Sequence, residues 1–101
     1  MNAIIPTGIF FSVIETYRSL NGFHSFVFDF SDQGDHIDIY CTRHPSLNSQ
    51  DSSVSKTHLY SSGKICFVRG KEPRSKWEAR RRAKQWAEYF LEYRRTGVAQ
   101  K

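Results

Sequence analysis

The sequence predicts an α+β domain, a small antiparallel sheet of three to four strands packed against a long C-terminal helix, with a second helix near the N-terminus. Three observations carry this. Phe26, Phe28 and Phe30 alternate with Val27 and Asp29, the period of a strand with one strongly apolar face. Ala79, Ala83, Trp86, Ala87, Phe90 and Tyr93 fall on one stripe at helical spacing, as a core-facing helix requires. A chain of 101 residues with 15% aromatics buries roughly two thirds of its unfolded surface, which gives one modest core and a single domain spanning residues 1–101.

Taken in order, residues 1–8 read as a lead-in ending in Pro6-Thr7-Gly8. Ile9, Phe10, Val13, Ile14, Tyr17 and Leu20 then recur at the spacing of a helix, which Asn21-Gly22 would end through residues tolerant of the left-handed conformation. The same run is rich in β-formers and is also compatible with a strand. The Phe26–Phe30 strand is followed by a turn at Ser31–Asp35 and a second alternation through Ile37, Ile39 and Cys41, so the two runs form an antiparallel hairpin. Pro45 stops the second strand. Residues 46–56 are a Ser-, Asn- and Asp-rich loop whose apolar residues are Leu47 and Val54; it is expected to be mobile. Ser61-Ser62-Gly63 is a turn, and Ile65–Val68 a short strand leaving it. Ser75 with Glu78 three residues later is a capping-box signature for a helix that Gly97 terminates.

The net charge of +5 conceals an asymmetry. Residues 1–63 carry three Lys/Arg against six Asp/Glu, and residues 64–101 twelve against four. Arg74, Lys76, Arg80, Arg81, Arg82 and Lys84 form a candidate partner-binding face for nucleic acid or an acidic protein. They cannot all point one way on a helix, and Glu78 with Arg82 makes an i,i+4 pair, so part of the set solvates the exposed face. No base-reading motif or aromatic RNA platform accompanies them, and Trp77 and Trp86 are explained by packing before stacking. Two cysteines are too few for a disulfide framework, and the opening residues have neither a charged start nor a long apolar run. This places the protein in the cytoplasm with reduced thiols, away from membranes.

The candidate chemistry lies in Lys56-Thr-His-Leu-Tyr-Ser-Ser-Gly-Lys-Ile-Cys66-Phe67. A thiol at the mouth of a turn is accessible, although a free cysteine also packs readily as a small hydrophobe. Cys41, His44, His58 and Cys66 are two Cys and two His, but their spacing fits no zinc-finger pattern, and no metal or cofactor is assigned. The string resembles, without a gap, the active-site segment of ubiquitin-conjugating enzymes, and most closely the prokaryotic relatives found in antiphage defence operons. Gly63, Ile65 and Cys66 match outright, Phe67 matches in kind, Tyr60 falls where a Tyr is often found, and His58 takes the place of the Asn in His-Pro-Asn. The C-terminal "AKQWAEYFLEYRRTG" is similar to the Trp-rich helix of the same relatives.

This resemblance implies a reduced ubiquitin-conjugating-enzyme-like fold and transthiolation. Cys66 would accept the C-terminus of a ubiquitin-like protein, or of a target protein, from an ATP-using activating enzyme and pass it to an amine. His58 would be its oxyanion donor or base, and Tyr60 a third candidate catalytic residue. The alternative is a noncatalytic binding module that uses the basic helix.

Overall fold

The computed structural model describes residues 12–100. The lead-in and the first three residues of the expected N-terminal helix lie outside the described residues. Three strands, β1 (Ser12–Arg18), β2 (Ser25–Asp32) and β3 (Ile37–Arg43), form an antiparallel meander in the order β1-β2-β3. A four-residue helix α1 (Val54–Thr57) and a long helix α2 (Lys76–Thr96) follow. The class is therefore α+β, with a three-stranded antiparallel sheet and a long C-terminal helix.

The first correction concerns residues 12–18, which form a strand and not the expected helix. Val13, Ile14 and Thr16 are β-branched, and Asn21-Gly22 serves as a hairpin turn. The Asn21 carboxamide oxygen accepts from the Phe23 N–H at 2.9 Å, and Gly22 takes a positive φ of 80°. Paired in register with β2, Val13 lies opposite Phe30, Glu15 opposite Phe28 and Tyr17 opposite Phe26. These three residues share the face that looks toward α2. Two polar side chains on that face have partners on the helix. Arg80 grips the Glu15 carboxylate through Nε at 3.0 Å and Nη2 at 2.5 Å, and the Tyr17 hydroxyl donates to Glu88 at 2.5 Å.

The β2–β3 hairpin follows the sequence reading, with Phe28 opposite Cys41 and Phe30 opposite Ile39. Their side chains join Ala79, Ala83, Trp86, Ala87 and Phe90 of α2 in the core. Three alanines let the helix lie close to a sheet face made of large rings. Trp86 and Phe90 then meet Phe26 edge-on, at centroid separations of 6.0 and 5.8 Å, an arrangement that aromatic quadrupoles favour. Fully burying each of these Phe side chains contributes about 1.5–3 kcal/mol.

Helix α2 begins and ends where the sequence places it. The Ser75 Oγ accepts from the Glu78 N–H at 3.1 Å, the Glu78 carboxylate accepts from the Arg74 N–H at 2.8 Å, and Gly97 closes the helix at a φ of 73°. Glu78 is thus engaged with the backbone. Arg82 donates to the Lys71 carbonyl at 3.2 Å, so the expected Glu78–Arg82 pair does not form.

A second correction falls on Ile65–Val68. Pairing with β3 spans only Gly63 to Ile65, through Cys41 N–H to the Gly63 carbonyl at 2.7 Å and Ile65 N–H to the Ile39 carbonyl at 2.8 Å. The chain then leaves the sheet and returns at Pro73, whose carbonyl accepts from the Ile37 N–H at 2.8 Å.

The loop expected to be mobile is tied to α2 along its length. The Tyr93 hydroxyl donates to the Asp51 carbonyl at 2.7 Å, Arg94 Nε to the Ser46 carbonyl at 2.8 Å, and the Gln50 amide to the Arg94 carbonyl at 3.3 Å. Its polar sequence hides these ties, because the partners belong to residues more than forty positions away.

Candidate functional site

The site is a small hairpin, residues 58–66, held between β3 and α2. Helix α1 leads into it. The buried Trp86 donates its indole N–H to the Thr57 carbonyl at 2.9 Å, and the Tyr89 hydroxyl donates to the Lys56 carbonyl. These two bonds fix where α1 ends. His58 caps it in the left-handed conformation, φ 55° and ψ 32°, which reverses the chain toward β3. A non-glycine residue holds that conformation only where its surroundings determine it.

Across the hairpin Leu59 bridges Ile65, the Tyr60 N–H donates to the Lys64 carbonyl at 2.9 Å, and the Gly63 N–H donates to the Tyr60 carbonyl at 2.9 Å. Gly63 has no substitute here. Its φ is 91°, and a Cβ would stand 3.0 Å from the Cys41 carbonyl oxygen, so a side chain would be strained in conformation and crowded against backbone at once.

Cys66 is the register partner of His58, its N–H donating to the His58 carbonyl at 2.7 Å. Ile65 is buried, so its neighbours Lys64 and Cys66 turn the opposite way, as alternation requires. The Cys66 thiol is half-buried and free, and its Sγ lies 3.2 Å from the Tyr60 hydroxyl oxygen. That contact raises the Tyr60 pKa above the ordinary phenol value, through the hydrogen bond first and the sulfur's charge second. In this contact the thiol donates to the phenol oxygen, and the phenol keeps its proton to higher pH. Lys64 is occupied by Asp38 at 3.4 Å.

The His58 imidazole does not share this contact. Its Nε2 is 3.2 Å from the Gln100 carbonyl, and its ring rests against Tyr89 at a centroid distance of 5.2 Å. Of the three candidate catalytic residues, the hairpin joins Cys66 to Tyr60 by side chain and Cys66 to His58 by backbone.

Cys41 differs from Cys66 in its burial. It is 4% exposed, its thiol donates to the Arg43 carbonyl at 3.3 Å, and burial pushes its pKa up to about 12. With Cys41 so placed and His44 hydrogen-bonded to the Pro45 carbonyl, the two-Cys, two-His set is not assembled. Among the described residues no group of three or more His, Cys, Asp or Glu could hold a metal ion.

The basic residues disperse. Arg80 faces β1 and Glu15, Arg82 stacks over Phe67 at 4.6 Å, and Arg81 stacks over Trp77 at 5.4 Å. Arg74, Lys76 and Lys84 are exposed. Trp86 packs as expected. Trp77 does not, at 73% exposed: its position on the helix lies opposite the Ala79–Ala83–Trp86 stripe.

Sequence reasoning also missed a cavity of about 1050 Å³ beside the hairpin, whose walls include Leu47, Val54, Leu59 and Phe90 and the hydroxyls of Ser53 and Tyr60. A loop of Ser and Asn gives no local sign that it will fold back to form one wall of an open groove. Among the described residues no helix is long and apolar enough to cross a membrane. No family model, curated protein or solved structure matches this chain.

Proposed function

We propose that this chain is a reduced ubiquitin-conjugating-enzyme-like protein, cytoplasmic and of the antiphage-defence type, in which Cys66 carries a ubiquitin-like protein or a target protein's C-terminus as a thioester. The observation that carries this reading is the half-buried Cys66 sulfur lying 3.2 Å from the Tyr60 hydroxyl on a turn pinned to the core. It sits in the stretch where the resemblance is densest. The order of meander, cysteine turn and long helix across the sheet also suits a pared-down member of that fold.

In the proposed reaction the Cys66 thiolate attacks the thioester carbonyl held by an activating enzyme. A C–S bond forms to Cys66, the C–S bond to the activating enzyme breaks, and the departing thiolate takes up the proton that Cys66 lost. An amine then attacks the Cys66 thioester, the new C–N bond replaces the C–S bond, and the amine's proton leaves with the freed sulfur. The Tyr60 O–H donates to the sulfur while it is anionic, before loading and again as it departs. His58 is the second donor, its imidazole exchanging the Gln100 carbonyl for the oxyanion of the tetrahedral intermediate.

The test is reconstitution with activating enzyme, ubiquitin-like protein and ATP. The native chain gains a reductant-sensitive adduct, and Cys66→Lys gains a reductant-resistant one because an amide replaces the thioester. An adduct that forms equally on Cys66→Ala removes the proposal.

A further inference from the structure

We infer that the N-terminal half of α2 and the 67–74 excursion together form a binding surface for single-stranded nucleic acid, with Trp77 as its stacking platform. Trp77 is 73% exposed and Val68 beside Phe67 is likewise exposed. An indole left in water while Trp86 fills the core is not explained by the fold. Each exposed or half-buried ring carries a guanidinium, Arg81 on Trp77 and Arg82 on Phe67, from adjacent residues of the helix. Arg69, Lys71, Arg74, Lys76 and Lys84 belong to the same two segments and are all exposed. Among the described residues none of these seven cations makes an ion pair, whereas Arg80, Lys64 and Arg95 each have a carboxylate. The acidic residues of the same stretch are Glu72 and Glu78, and Glu78 is turned back to the Arg74 N–H.

Unpaired cations flanking one exposed ring and one half-buried ring match what a single strand offers, phosphates at intervals and unstacked bases between them. A duplex hides its base faces and leaves Trp77 unused. An acidic peptide satisfies the cations but has no need of the ring. Nothing here depends on the thiol, so the inference stands apart from the thioester reading.

The experiment uses fluorescein-labelled oligo-dT and oligo-U of about twelve nucleotides, a duplex of equal length and polyglutamate, with the full chain. The chain holds two tryptophans and Trp86 is buried, so quenching of exposed indole fluorescence reports stacking on Trp77. Expected are complexes with both single strands at micromolar protein and quenching on binding. Expected too are a loss of at least about fivefold in Trp77→Ala, most of the affinity retained in Trp77→Phe, and a salt slope shallower by about 0.7 in Arg81→Gln. Cys66→Ser binds as the native chain does. Circular dichroism checks that the variants are folded, which substitution at an exposed position permits. No complex at low salt, unchanged binding by Trp77→Ala, or equal affinity for the duplex or polyglutamate overturns the inference; the last makes the surface an acidic-protein site.

Discussion

Cys66 and Tyr60 meet sulfur to oxygen at 3.2 Å because Gly63 turns the hairpin back on itself between them. The contact raises the Tyr60 pKa above the ordinary phenol value, through the hydrogen bond first and the sulfur's charge second. Replacing Cys66 by Ala removes the two largest causes of the shift, so the Tyr60 ring, followed by NMR, should titrate at lower pH in Cys66→Ala than in the native chain. An unchanged titration would mean that the pair does not interact in solution.

The two cysteines should separate cleanly in alkylation. Burial pushes the Cys41 pKa up to about 12 and leaves it 4% exposed, so it presents little thiolate near neutral pH and what forms is covered. One maleimide per folded chain is expected to react quickly, Cys66→Ser should abolish the fast phase, and Cys41→Ala should preserve it. Peptide mapping identifies the site.

The hairpin's position depends on Trp86. Its indole N–H is the partner of the buried Thr57 carbonyl, so Trp86→Phe leaves that carbonyl unpaired and the ring's second half empty. A loss of about 2–4 kcal/mol in urea unfolding is expected, with slower loading at Cys66 because His58 follows directly. Tyr89→Phe, which removes a bond at the surface, should cost about 1 kcal/mol or less.

His36 adds a pH dependence of its own. It sits between Asp35 at 2.6 Å and Asp38 at 3.1 Å, its pKa raised chiefly by the hydrogen bond to Asp35, while the Asp35 carboxyl is held below its usual range chiefly by that same bond. A raised histidine contributes stability that is complete below its unfolded value near 6.5 and is lost as pH climbs through the higher folded value. The lowered Asp35 contributes above its unfolded value near 3.9 and loses its share as pH falls. The urea midpoint should therefore decline from neutral toward alkaline pH, and His36→Gln should flatten that decline.

Where a signal was local, it was legible. The Ala79-to-Tyr93 stripe and its Ser75 and Gly97 ends depend on near neighbours, and each stands where the pattern puts it. So do the alternating faces of β2 and β3. Residues 12–18 were misread because their apolar spacing suits two periods and Asn-Gly both stops helices and turns hairpins. The deciding partners, Arg80 for Glu15 and Glu88 for Tyr17, lie far along the chain. The Ser61-Ser62-Gly63 turn ahead of Cys66 was legible in its string. The direction of the His58 ring was not, since it is set by Tyr89 and Gln100, and neither was the exposure of Trp77, which its aromatic character argued against.

The most direct measurement is the intact mass of the native chain, Cys41→Ala and Cys66→Ala after incubation with a ubiquitin-like protein carried as a thioester on its activating enzyme. The native chain and Cys41→Ala should each gain one modifier mass that dithiothreitol removes, and Cys66→Ala should gain none. A folded native chain that gains no mass, or a gain that survives in Cys66→Ala, would contradict the assignment of Cys66 as the acyl carrier.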